Sequence, residues 1–410
     1  MRLLVRPEPY CDESLESYLL RLSQENGFES FRLFGGSVRD WLLQQDHEAA
    51  GAFPLDLFRV NVFHASRSSG LRIRALRLVE QLTDLAPSSL LQLALLHSGL
   101  HFGSGHKAVH RAGVDIPLCF IRTRSIPCCP ACLNESAYVR QHWHYAPYHA
   151  CHVHATELLY ACPHCGSVLD YTRSESITHC LCGYDLRMAK PAPADRAVVQ
   201  LAGLLCGERF ESDNPLLANE QPTVRFGALL WYWLRHFHSQ DDKPQDLRVA
   251  EAIGYFADWP ANFHAELRQQ VQSALLKQTR LLNHTAFSEV FGSVLGDCRQ
   301  LPMRDIGTNF ILRGLLDYLT SLVFDNPKRR VGNLADILLS AVETAAVLST
   351  SVEQVYRLQQ EGYLTPAYRL RRHDGLTAHE PIFHLRQVIE HRLAHGSRGQ
   401  DAFHCYLPAW

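Results

Sequence analysis

At 410 residues, with 46% hydrophobic and 20% charged residues, the chain can build two to four modules with separate cores, and its composition excludes a disordered polypeptide. A formal net charge of -2 argues against a protein that coats nucleic acid through a strongly basic face. The longest apolar stretch, Ala228 to Leu234, falls far short of the ~18 residues that a bilayer span needs, so no membrane association is expected. Thirteen cysteines would suit disulfides in a secreted protein, but the opening residues MRLLVRPEPYCDESLES contain no apolar core of signal-peptide length. Reduced cysteines and a cytoplasmic location are the resulting expectation.

The first segment, residues 1–112, reads as a compact helical domain. Leu15, Tyr18, Leu19 and Leu22 recur at helical spacing, with Asp12 as a candidate cap and Asn26-Gly27 as the stop. FRLFGGSVRDWLLQQ, PLDLFRVNVF, LRIRALRLVEQLTDL and SSLLQLALLHSGL read as further short helices, compatible with a helix-turn-helix arrangement. From His101 to Arg124 four basic residues (Lys107, Arg111, Arg122, Arg124) face one acid, Asp115, a balance that suits a solvated surface or phosphate contacts.

Residues 113–190 carry the sharpest signal. Cys129 and Cys132 form a C-x2-C knuckle, and eighteen residues later Cys151 and His154 supply a C-x2-H pair. Cys162 and Cys165 form a second knuckle, closed after fourteen residues by Cys180 and Cys182 in a tighter C-x-C return. Zinc takes four N/S ligands in a tetrahedron, and a two-residue gap lets one tight turn aim two thiolates at one ion. Ordinary packing has no reason to produce four such pairs, so two zinc ions per chain are expected. Four protein ligands leave no position for a reacting water, which makes both ions structural. Cys128 is an alternative to Cys129, and His149 or His152 to His154. A zinc-deaminase reading fails: Cys128 and Cys132 are separated by three residues rather than two, and His101, His106 and His110 have no glutamate two positions on.

KPAPADRA, from Lys190, reads as an extended linker, because Pro191 and Pro193 prevent regular helix. Residues 191–330 then form a helical middle region. Its last helix places Leu312, Leu315, Leu316, Leu319, Leu322 and Val323 on one face. In residues 331–410, SAVETAAVLSTSVEQVYRLQQEGYLTP reads as two short helices. Val342, Ala345, Ala346 and Leu348 lie inward on the first, Ser349-Thr350-Ser351 forms the turn, and Ser351 with Gln354 makes a capping box for the second. Val352, Val355 and Leu358 point inward on that second helix, leaving Glu353, Gln354, Tyr356, Arg357, Gln359 and Gln360 outward. YRLRRHDGLTAHEPIFHL, with Arg369, Arg371 and Arg372, would supply the wing of a winged helix-turn-helix. The fold class expected is therefore mainly α and multi-domain, with a helical N-terminal domain, tandem zinc-ribbon or zinc-finger modules, and a helical C-terminal region with a helix-turn-helix.

EPYCDESLESYLLRLSQENGF, CCPACL, CHVH, CPHC and CLCGYDLR occur here in the order found in the TniQ/TnsD family, and the chain resembles that family. SIPCCPACL and the terminal FHCYLPAW are similar to the TniQ branch of type I-F CRISPR-associated transposons. The resemblance implies a targeting adaptor and not an enzyme, in agreement with the lack of a G-x4-G-K-[ST] phosphate loop. It further implies a homodimer docked on the crRNA-guided Cascade complex, at the crRNA-processing subunit and the adjacent backbone subunit. Such a dimer passes the site to the AAA+ ATPase TnsC, with crRNA and target DNA engaged indirectly. TnsD relatives, which bind a fixed attachment site, carry further C-terminal sequence, so the end at Trp410 points toward the RNA-guided branch, with a sequence-specific DNA-binding selector as the alternative.

Overall fold

The computed structural model describes residues 2–103, 105–218, 221–237, 247–368 and 377–396. The chain is mainly α-helical, with eighteen α-helices among the described residues, and it separates into two compact units, Met1–Gly254 and Tyr255–Trp410.

In the first unit the helix Leu15–Glu25 is buried on nearly every side, with Leu15, Tyr18, Leu19 and Leu22 inaccessible to solvent. Ser14, and not Asp12, is its N-cap: Ser14 Oγ accepts from the Ser17 amide at 3.1 Å. Asp12 instead accepts from the Tyr138 hydroxyl at 2.7 Å. The helices Phe31–Gln45 and Ser69–Thr83 form as their spacing predicts, whereas PLDLFRVNVF holds only the single turns Leu57–Arg59 and Val62–His64. Arg72 enters the core from the helix Ser69–Thr83 and donates to the carbonyls of Val60 at 2.9 Å and Asn61 at 3.1 Å, fixing that irregular stretch.

SSLLQLALLHSGL departs from its helical expectation. The helix ends at Leu93, and Leu96–Phe102 becomes β1 of an antiparallel sheet with β2 (His106–Arg111) and β3 (Val114–Pro117). Ala112 and Gly113 both take positive φ, 49° and 82°, the backbone of a two-residue hairpin whose twist matches its strands. The helix Pro222–His236 packs on β3, and Thr223 Oγ1 accepts from the Asp115 amide at 3.0 Å.

The arginines of the basic stretch divide. Arg124 and Lys107 are exposed, but Arg111 and Arg122 are buried. Arg122 donates to the carbonyls of Trp143, Tyr145, Ala146 and Tyr148, and Arg111 to those of Gln92 and Glu13. These two guanidiniums tie loops together by bonding backbone carbonyls.

The second unit builds its core from Phe256, Phe263, Leu267, Ile311, Leu315 and Leu319, with the helices Ala261–Lys277 and Phe310–Asp325 as principal elements. A short ribbon pairs Leu338–Leu339 with Phe383–His384. The helices Ala341–Leu348 and Val352–Gln360 are joined by three residues, with Ser349 at φ 56°. Ser351 Oγ accepts from the Gln354 amide at 3.2 Å, while the reciprocal capping box lies one helix earlier, between Ser340 and Glu343. Gln354, expected outward, is buried. The helix pair is present, but the helix-turn-helix reading goes further than this pair: Phe383–His384 of the expected wing forms the ribbon strand, whereas the wing's Arg369, Arg371 and Arg372 and the terminal FHCYLPAW lie outside the described residues. No described helix is long and apolar enough to cross a membrane.

Candidate metal centres

The first centre is made by a helix start and a hairpin. Cys129 is the N-cap of Pro130–Glu135, where Pro130 occupies the first turn, so Cys129 and Cys132 lie on that turn. Cys151 ends a two-residue strand, Ala150–Cys151, paired with Thr156–Glu157, and the Ala155 amide donates to the Cys151 carbonyl at 2.8 Å, closing the turn that carries His154. The fold brings Cys129, Cys132, Cys151 and His154 together, with one donor atom from each within 4.8 Å of the others.

The spacing of these donors tests the group they would hold. Zinc–sulfur and zinc–nitrogen bonds of about 2.3 and 2.05 Å around a tetrahedron imply S···S edges of about 3.8 Å and S···N edges of about 3.6 Å. Cys132 and Cys151 sulfurs are 3.5 Å apart, and His154 Nδ1 lies 3.7, 3.3 and 3.5 Å from the sulfurs of Cys129, Cys132 and Cys151. The set fits zinc. Glu135 Oε1 sits 2.9 Å from His154 Nε2, an arrangement that places the proton on Nε2 and leaves the Nδ1 lone pair facing the three sulfurs.

The alternative ligands lie elsewhere. Cys128 is buried beside the cluster, and its backbone exchanges both hydrogen bonds with Leu159. His149 Nδ1 is 3.4 Å from the Tyr160 hydroxyl, and His152 Nδ1 is 2.8 Å from that of Tyr148.

The second centre is built from two facing turns. Gly166, at φ 71°, closes the first by donating to the Cys162 carbonyl, and Gly183, at φ 85°, closes the second by donating to that of Cys180. Cys162, Cys165, Cys180 and Cys182 are thereby collected within 4.8 Å, with sulfurs 3.7 Å apart for Cys162 and Cys182 and 3.6 Å apart for Cys165 and Cys180. The one-residue gap of the C-x-C return is accommodated, because the turn through Gly183 reverses the chain directly after Cys182. This set also fits zinc. Only Cys162 is buried; Cys165 and Cys182 are exposed.

Crowded thiols cannot all ionise without a cation among them. Hydrogen bonds from Cys132 and then Cys151 hold Cys129 well below the usual thiol range, and the same contact with Cys129 pushes Cys132 up. The side chain and amide of Ser167 bring Cys165 down to about 6. One thiolate per cluster therefore forms readily, and a metal must displace the remaining protons, which makes occupancy pH-dependent.

A polar hub ties the N-terminal helix to this block. Ser14 Oγ lies 2.8 Å from the Tyr171 hydroxyl, which lies 2.9 Å from His144 Nε2; His144 Nδ1 is 3.2 Å from the Arg122 carbonyl. Burial lowers the His144 pKa to about 4, so its ring is neutral, donating from Nδ1 and accepting at Nε2. Glu13, wholly buried, accepts from Arg21 Nε at 2.8 Å and from Ser17 Oγ at 2.8 Å. Ser17 Oγ in turn accepts from the Val139 amide at 2.9 Å, so the polar letters of DESLESYLLR hold the helix against the cysteine-rich segment.

Residues 4–158 match the TniQ family model, a span that takes in the N-terminal helix, the polar hub up to His144 and all four donors of the first centre. The chain therefore carries a TniQ domain over these residues. No curated protein matches the chain. The TniQ domain marks a transposition-associated targeting protein; the match does not extend to an RNA-guided branch. The second cysteine centre lies beyond the matched span.

Sequence spacing alone does not point to Glu135, Ser14, Tyr171 or His144. Their roles depend on partners between 19 and 157 residues away, and only the E/S pattern around Ser14 carries a local signal, that of a helix cap.

Proposed function

We propose that this protein is a targeting adaptor of RNA-guided DNA transposition, which docks as a homodimer on the Cascade–crRNA complex and links it to the AAA+ regulator TnsC. The observation that carries the reading is the TniQ domain over residues 4–158. Two four-donor clusters support a scaffold role, since a metal held by four protein donors has no position for a substrate. The N-terminal helix and the cysteine-rich segment share one polar hub, which suits a rigid surface for protein docking.

Co-purification of the tagged full chain with the Cascade subunits, with and without crRNA, tests the proposal. Retention of the crRNA-processing subunit and its neighbouring backbone subunit is expected. A chain that instead gives a footprint on duplex DNA by itself, with affinity falling steeply with salt, would be a fixed-site selector of the TnsD kind. Light scattering should return about twice the chain mass of 46.5 kDa, and a monomer at every concentration would remove the dimer from the scheme.

A further inference from the structure

A third set of metal donors lies beside the first centre and outside both four-residue clusters. His142, on the single turn Gln141–His144, is buried, and its Nε2 has no hydrogen-bond partner. His152 sits in the turn between Cys151 and His154. Cys206 caps the C-terminal end of the helix Arg196–Leu205. One nitrogen from each ring and the Cys206 sulfur fall within 4.8 Å of one another, and Cys206 Sγ is 3.8 Å from His152 Nδ1, close to the S···N edge of about 3.6 Å expected around zinc.

We propose that His142, His152 and Cys206 form a third binding site, for a divalent ion of the zinc class, with an open fourth position. Imidazole and thiolate donors together select a borderline-soft ion over calcium or magnesium, which prefer oxygen. A buried imidazole nitrogen without a partner is costly to leave unsatisfied, and a metal, or a water bound to it, removes that cost. The three residues line a cavity of about 1080 Å³, so the ion has a route in, and solvent can complete the coordination. Glu208 Oε1, 3.9 Å from His152 Nε2, is near enough to polarise that ring or to reach the ion. On binding, the Cys206 thiol gives its proton to solvent, and the sulfur lone pair makes the bond to the metal.

This site differs in kind from the other two. Tyr148 competes for His152: its hydroxyl lies 2.8 Å from Nδ1 and accepts from the His152 amide at 3.3 Å. Three protein donors, one already engaged, make an exchangeable site, weaker than a closed four-donor centre. An ion there would also clip the helix Arg196–Leu205 to the turn that presents Cys151 and His154, coupling the segment after the linker to the first centre.

The test titrates Co2+ into the full-length protein after its zinc content has been measured. One further equivalent of Co2+ should bind with zinc content unchanged and should show thiolate-to-cobalt charge-transfer absorption. Cys206→Ala, at an exposed position, should abolish both the extra equivalent and the absorption while leaving the zinc content intact; His142→Ala should do the same. Absence of an extra equivalent, cobalt uptake matched by zinc loss, or absorption that persists in Cys206→Ala would each overturn the assignment.

Discussion

Glu135 offers the most discriminating test of the first centre, because it touches His154 and is itself no ligand. Its carboxylate meets His154 Nε2 at 2.9 Å while more than half its side chain, 57%, remains exposed. Removing a carboxylate behind a metal-bound histidine typically costs about 10–100-fold in metal affinity. At this exposure water partly replaces the lost acceptor, so Glu135→Ala should fall at the lower end, about tenfold or ~1.4 kcal/mol. Glu135→Gln, which keeps an acceptor oxygen without the charge, should lie between the variant and the parent. The assay is competition with a chromophoric chelator on the full chain, resolving two phases of zinc release: one phase should weaken and the other, from the four-cysteine centre, should not move. Equal affinity in parent and Glu135→Ala would refute the idea that this carboxylate fixes the His154 tautomer, and weakening of both phases would show a general loss of fold instead.

Ser14→Ala removes the cap of the N-terminal helix and the contact with Tyr171, so it should lower the stability of the first unit by about 1–2 kcal/mol in denaturant unfolding; an unchanged midpoint would count against the hub. His144, with its folded-state pKa lowered to about 4 against 6.5, binds a proton more readily when unfolded, so its contribution is complete above pH ~6.5 and is lost as pH falls toward ~4. That loss is roughly 3 kcal/mol across the window, read as a pH-dependent unfolding free energy that should be flat just above neutrality. Cys162→Ser, at the one buried donor of the second centre, should give protein that is protease-sensitive and short of one zinc; full zinc content in that variant would remove Cys162 from the centre. In the second unit, a methyl added by Gly314→Ala would meet Trp259 at 2.7 Å, and the forced shift should cost about 1–3 kcal/mol in stability.

The sequence by itself determined the features that depend on local geometry. A gap of one or two residues between donors dictates a tight turn whatever surrounds it, so the four pairs are set locally, and all eight donors named from spacing come together in two sets of four. The leucine and tyrosine period of the helix Leu15–Glu25 likewise marks one of its buried faces, because a helix has one fixed pitch, whereas the burial of Glu16, Ser17 and Ser23 depends on tertiary partners. The tertiary structure decided what depends on distant partners. SSLLQLALLHSGL has the apolar content of a helix, yet its second half pairs as β1, since the strand His106–Arg111 offers it an antiparallel partner, in a ladder whose register shifts between His97 and His101. Arg111 and Arg122 look like surface charge in a one-dimensional reading but lie inside, because the loops they enter carry carbonyl groups that no secondary structure satisfies. Cys128 and Cys129 are indistinguishable by spacing within a residue; pairing of the Cys128 backbone with Leu159 turns one thiol away from the cluster and its neighbour into it. Likewise, only the packing of the helix Arg196–Leu205 against the Ala150–Cys151 strand sets Cys206 beside His152, across 54 residues of chain that no local spacing rule spans.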